Sequence, residues 1–172
     1  MKRFSVLLSA LAIGGWNLAN PVQDGFVMIA CEHGTTLKAI QEEYDELGGV
    51  TFAKENYAFI YDKNTGKPYM WSQYDEALIL FTGKRISDKE LKIEYESKLS
   101  KDGKTIIGRT SETWIGSKTD APNRVRATSL EYYDLNKKTQ TIKEEGEKDV
   151  VNKCIFFDLP REVDVILDEE ED

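Results

Sequence analysis

The chain has 172 residues, 31 of them acidic and 23 basic, and its formal net charge at pH 7 is −8. A surface that binds nucleic-acid phosphates is normally basic, and no basic stripe offsets the acidic excess, so a nucleic-acid partner is excluded. The length is that of a single domain, which can bury a hydrophobic core of ordinary size.

The first residues have the order of a secretory signal peptide. Lys2 and Arg3 precede an uncharged apolar run from Phe4 to Trp16, and small and polar residues follow it. The run is shorter than the ~20 apolar residues that a membrane span needs. We therefore expect residues 1–19 to be cleaved and the protein to be exported to the periplasm or the extracellular space. Stable membrane insertion is not expected once the signal is removed. The alternative is an uncleaved N-terminus, acting as an anchor or as a buried helix.

A buried strand and one amphipathic helix are predicted next. The apolar run GFVMIAC, which ends at Cys31, predicts a short buried strand. Beyond it, four apolar side chains recur at helical spacing: Leu37, Ile40, Tyr44 and Leu47. Thr35 or Thr36 can cap the start of this helix, and the pair Gly48-Gly49 ends it.

Asp62 opens the pattern Asp-x-Asn-x-Gly, with which many calcium loops begin. Counted from Asp62, however, position 5 is Gly66, which has no side-chain ligand, and position 6 is Lys67, where such a loop requires glycine. Position 12 is Gln73 instead of the bidentate glutamate. Three aromatic residues before the pattern alternate at strand period: Tyr57, Phe59 and Tyr61. The pattern therefore predicts a hairpin turn and no metal.

From Val50 onward, apolar residues recur at every second position, which predicts strands. Asp102-Gly103 predicts a hairpin turn, and Asp134-x-Asn136 repeats the turn pattern of Asp62. Besides the aromatic runs around Asp62, strands are predicted at residues 77–82, 89–99, 105–116, 124–135, 139–145 and 150–157. Short strands separated by turns indicate a mainly β (α+β) fold, an antiparallel meander that closes into a barrel or a sandwich with the N-terminal helix packed against it. The predicted domain spans residues 20–165, and residues 166–172 form an acidic C-terminal tail.

The chain has two cysteines, Cys31 in the first predicted strand and Cys154 in the last. In an exported protein such a pair predicts a disulfide, which would tie the two strands together. The alternative is a metal or thiol site formed by Cys31 and His33, the only histidine. Zinc needs three or four protein ligands, and the sequence has no second Cys/His pair to complete such a set.

No motif for catalysis or for cofactor binding is present. The sequence has no phosphate-binding loop and no nucleophile elbow, so no catalytic residue, metal ligand or cofactor is predicted. If the sheet encloses a cavity, Trp71, Trp114 and Tyr132 are candidate ligand-binding residues, and core packing is their other use. These features favour an exported, non-catalytic protein that binds a basic protein partner or a small apolar ligand. The alternatives are a small carboxylate-based hydrolase and a membrane-anchored structural factor of the cell envelope.

Overall fold

The structure is a computed structural model, which describes residues 21–86, 91–114 and 124–167. The helices within these residues are α1 (Pro21–Asp24), α2 (Leu37–Leu47) and α3 (Gly49–Lys54). The strands are β1 (Phe26–Cys31), β2 (Phe59–Asp62), β3 (Pro68–Ser72), β4 (Ala77–Leu80), β5 (Gly83–Ile86), β6 (Leu91–Leu99), β7 (Thr105–Trp114), β8 (Arg124–Asp134), β9 (Thr139–Glu144) and β10 (Val150–Asp158). The predicted signal peptide, residues 1–19, and residues 168–172 of the predicted acidic tail lie outside the described residues.

These ten strands form one antiparallel sheet in the order β4-β3-β2-β1-β10-β9-β8-β7-β6-β5. The sheet curves into a half-barrel, so the prediction of a mainly β, antiparallel fold is confirmed and its barrel-like form is supported. Most neighbours are consecutive in the chain, as expected of a meander. The exception is the pairing of β1 with β10, which joins the first strand to the last.

The sheet turns two corners because two segments change their pairing partner partway along. The first half of β10, Val150–Lys153, pairs with β9, whereas residues from Cys154 onward pair with β1. Only Phe81 and Thr82 separate β4 from β5, and β4 pairs with β3 while β5 pairs with β6. In orthogonal β-packings, a corner forms where a strand passes from one sheet layer to the other in this way.

The two faces of β1 are buried in different cores. Phe26, Met28 and Ala30 pack with the helices, while the intervening Val27 and Ile29 face the concave interior of the half-barrel. Successive strand residues point to opposite faces, so a strand covered on both sides appears in sequence as an unbroken apolar run. The prediction of a buried strand ending at Cys31 is confirmed.

The predicted amphipathic helix is α2. The Thr36 hydroxyl accepts a hydrogen bond from the Ala39 backbone N–H at 3.2 Å, which caps its start. Gly48, with a φ of 79°, ends it and donates its backbone N–H to the Tyr44 carbonyl. The Tyr44 ring stacks on Phe157 of β10 with 4.1 Å between centroids, which fixes the helix on the sheet.

The expectation that strand periodicity begins at Val50 is wrong. Residues Gly49–Lys54 form a second short helix, α3, immediately after Gly48. Its Phe52 and Ala53 are almost completely buried, and the Phe52 ring packs edge-on against Phe157. Burial of these adjacent side chains under the sheet outweighs the β-propensity of the Val-Thr-Phe run, because propensity is a weak preference that tertiary packing overrides.

Candidate functional site

The cysteines form the predicted disulfide. Cys31 and Cys154 are direct partners in the β1–β10 register, with 4.0 Å between their Cα atoms, and both are buried. Within the described residues there is no free cysteine. A sulfur in a disulfide is neither a thiolate ligand nor a nucleophile, so the alternative site formed by Cys31 and His33 is excluded in this state.

The Asp62 segment is a hairpin turn, as predicted. One carboxylate oxygen of Asp62 accepts the Asn64 backbone N–H at 2.8 Å, and the other accepts the Thr65 hydroxyl at 2.9 Å. Both oxygens are therefore occupied by the turn itself, which leads from β2 into β3. Asp134 forms a related turn between β8 and β9, where one carboxylate oxygen accepts the backbone N–H groups of both Asn136 and Lys137. No group of three or more potential metal ligands occurs in the described part of the chain.

The same turn also closes the half-barrel against β6. The Leu99 backbone N–H donates to the Thr65 carbonyl at 2.8 Å, and the Ser97 hydroxyl donates to the Gly66 carbonyl at 2.5 Å. Gly66 lies so close to β6 that a Cβ atom there would stand 2.3 Å from the Leu99 nitrogen. The sequence shows the turn, but it does not show this contact.

Side chains fill the concave interior of the half-barrel. The buried cluster consists of Val27, Ile29, Cys31, Tyr61, Tyr95, Ile106, Tyr133 and Cys154. The Tyr61 and Tyr95 hydroxyls lie 2.6 Å apart and share a hydrogen bond, and the Tyr61 ring packs 5.3 Å from that of Tyr133. Burial raises the pKa of all three hydroxyls, because a phenolate is poorly solvated inside the protein.

A row of polar side chains continues from this cluster. The Tyr133 hydroxyl donates to the Glu131 carboxylate at 2.5 Å, and the Gln140 amide donates to the Tyr133 hydroxyl at 3.0 Å. Asn152 in turn donates to the Gln140 side-chain carbonyl at 3.1 Å. Each of these side chains has a hydrogen-bond partner within the row, so the row meets its own hydrogen-bonding requirements inside the protein. Among the described residues, the buried polar or charged side chains are Gln23 and Gln140, and neither is a carboxylate.

Of the three residues predicted to bind a ligand, Trp71 and Tyr132 lie in strands that are separated by four others in the sheet. Trp71 lies in β3 against the core under the helices, and the Lys54 ammonium stands 4.6 Å from its ring centroid. Tyr132 alternates with the inward-facing Tyr133, so it lies on the outer face of β8, where Lys143 stands 5.7 Å from its ring. Trp114 is the last residue of β7, and its side chain is outside the description. A ligand-binding role for these three residues stays a prediction.

The aromatic cavity lies instead at the rim of the half-barrel, beside the start of β2. It has a volume of about 300 Å³ and is lined by Asn56, Tyr57, Phe59, Tyr69, Met70 and Phe81, among others. We call it the rim cavity. Tyr57 and Phe59 are 47% and 44% exposed, although a large aromatic side chain is normally buried. The volume of the rim cavity is at the lower end of the range for small-molecule sites, and an apolar lining is typical of such sites.

Asn56 is the residue that opens the rim cavity. Its backbone has a φ of 57°, and its side-chain oxygen accepts the Trp71 backbone N–H at 3.2 Å. At this point the Asn56 side chain stands between β3 and the segment that precedes β2. Further along β2, Ile60 and Tyr61 pair directly with β3. The segments are therefore held apart at their ends, and the rim cavity occupies the gap. The sequence showed the alternation of Tyr57 and Phe59 but not this separation, because the Asn56–Trp71 contact is tertiary.

Comparisons with protein-family models, with curated proteins and with solved structures found no match. Within the described residues, no helix combines the length and the apolar character that a membrane span requires.

Proposed function

We propose that this chain is a non-catalytic binding protein that takes a small apolar ligand into the rim cavity. The observation that supports this function is an apolar cavity of about 300 Å³ whose walls include two half-exposed aromatic residues, Tyr57 and Phe59. Apolar surface that stays exposed in a folded protein commonly marks a binding site. The size of the cavity matches a ligand of one or two rings.

The protein is proposed to act outside the cytoplasm. The Cys31–Cys154 disulfide supports export, because disulfides persist in oxidising compartments and are rare where thiols are kept reduced. The basic residues and apolar run at the N-terminus support the same proposal from the sequence. The residues that the structure describes provide no buried carboxylate pair that would favour the hydrolase.

The test is an NMR titration of the ¹⁵N-labelled protein with 2-(2-naphthyl)ethanol, a neutral probe of two rings. At about −0.4 kcal/mol per non-hydrogen atom, we expect a dissociation constant on the order of 100 µM. The largest shifts of backbone amides should lie at Tyr57–Ile60 and Tyr69–Met70. A titration that shifts no amide, or only amides on the outer face of β8, would contradict the proposal.

Two variants and one control connect the binding to the rim cavity. Phe59→Ala removes one wall, and Met70→Gln places a polar amide in the cavity with little change in side-chain length, so both should weaken binding about tenfold or more. Tyr74→Ala is the matched control, because Tyr74 is 96% exposed and does not line the cavity. Met70→Gln keeps the test usable if Phe59→Ala is unstable, since Phe59 also packs on Tyr61 and Tyr133.

A further inference from the structure

A second cavity borders the rim cavity on the other side of the Tyr57–Phe59 segment. It has a volume of about 260 Å³, and its apolar floor includes Ala30, Ile40 and Phe52. Tyr57 and Phe59 line both cavities, so the two share a wall. The two cavities are neighbours because β2 lies between β3 and β1. The residues that precede the paired part of β2 leave a gap on each side. We call this second space the flanking cavity.

The lining of the flanking cavity differs in chemistry from that of the rim cavity. It includes His33, Thr35 and Glu43, whereas the rim cavity has Asn56 as its one strongly polar lining residue. The preceding acid, Glu42, forms an ion pair with Lys38 at 3.4 Å. No ion pair of Glu43 with a described residue is found, so its carboxylate is available to a ligand.

These observations together point to a ligand with two unlike ends. We propose that the rim and flanking cavities form one site for an amphiphilic amine, with its apolar end in the rim cavity and its ammonium beside Glu43. This inference rests on the proposed function and specifies the ligand class. The ammonium would donate to the Glu43 carboxylate, and the Thr35 hydroxyl is a further acceptor. The aromatic wall adds attraction for a cation over a ring face, and the net charge of −8 favours a cationic ligand.

The experiment compares two probes that differ only in the terminal group: 2-(2-naphthyl)ethanol and 2-(2-naphthyl)ethylammonium. Dissociation constants are measured by the same NMR titration on the wild-type protein and on the variants Glu43→Gln and Glu42→Gln. Both variants remove one negative charge from neighbouring positions of α2, but only Glu43 lines the flanking cavity. The pair therefore separates a local contact from the general attraction of an acidic protein.

We expect the wild-type protein to bind the ammonium about fivefold more tightly than the alcohol, as for a partly exposed ion pair. Glu43→Gln should abolish this preference, whereas Glu42→Gln should retain it. Equal binding of the two probes, or equal loss of preference in both variants, would overturn the two-ended site and leave the proposed function intact. Failure of the alcohol to bind the wild-type protein would overturn the proposed function and this inference together.

Discussion

The contact between the Asp62–Gly66 turn and β6 predicts an unusually large effect for a substitution of glycine by alanine. Gly66 has a φ of +74°, where an alanine costs about 1–2 kcal/mol. The added Cβ would also stand 2.3 Å from the Leu99 nitrogen and 2.4 Å from the Lys98 carbonyl carbon, and these backbone atoms cannot rotate away. The turn must then separate from β6 and lose the two hydrogen bonds made by Leu99 and Ser97, at about 1 kcal/mol each. Gly66→Ala should therefore lower the free energy of unfolding by about 3–4 kcal/mol.

Gly103→Ala is the control, because it imposes the same backbone strain without the clash. Gly103 has a φ of +69° in the turn between β6 and β7, and a Cβ there would meet no atom within 4 Å. We expect this variant to lose only about 1–2 kcal/mol. Urea unfolding followed by circular dichroism gives both free energies, provided that the slope with denaturant is unchanged. Equal losses in the two variants would show that the closing contact contributes nothing measurable.

Three further predictions concern the disulfide, the Asp62 turn and the buried tyrosines. Reduction of the Cys31–Cys154 bond, which spans 123 positions, should lower the free energy of unfolding by about 5 kcal/mol in the chain-entropy model; a thiol assay of the unfolded, unreduced protein should find no free thiol. Calcium should leave the melting temperature unchanged, because the turn uses both Asp62 oxygens; a rise abolished by Asp62→Ala would contradict this assignment. The last prediction concerns three buried hydroxyls: those of Tyr61, Tyr95 and Tyr133. Their raised folded-state pKa values mean that the unfolded chain releases these protons first, so stability is complete below about pH 10 and falls as the pH rises above it. Ultraviolet titration should show fewer tyrosinates in the folded protein than in the unfolded chain at the same alkaline pH, and equal numbers would refute the burial of these hydroxyls.

Local signals predicted those parts of the fold that depend on neighbouring residues. Alternating apolar residues located most of the strands, Thr36 and Gly48 bounded α2, and Asp62 and Asp134 were correctly interpreted as turn residues. Helix α3 was missed because Val50 and Thr51 favour strands, and only burial under β10 decides the conformation there.

The candidate site was the least predictable part of the fold. Trp71 and Tyr132 were chosen by residue type, but the order of the strands separates β3 from β8 by four other strands. The rim cavity exists because the Asn56 side chain binds the backbone of a strand that comes 15 positions later. No local pattern reports such a contact, since the same asparagine would serve equally well in an ordinary turn.

The pairing of β1 with β10 has a consequence for the order in which this protein is made and folds. β1 is synthesised before the other nine strands of the sheet, and all six of its side chains are buried in the finished structure. Its neighbour β10 is synthesised more than 100 residues later, so one edge of this apolar strand stays unpaired until the last strand of the sheet has been made. Pairings of such long range form slowly, and an unpaired apolar strand is exposed to aggregation in the meantime. Because Cys31 lies in this strand, the disulfide can form only after the rest of the sheet has been made, and it then secures the last pairing of the fold.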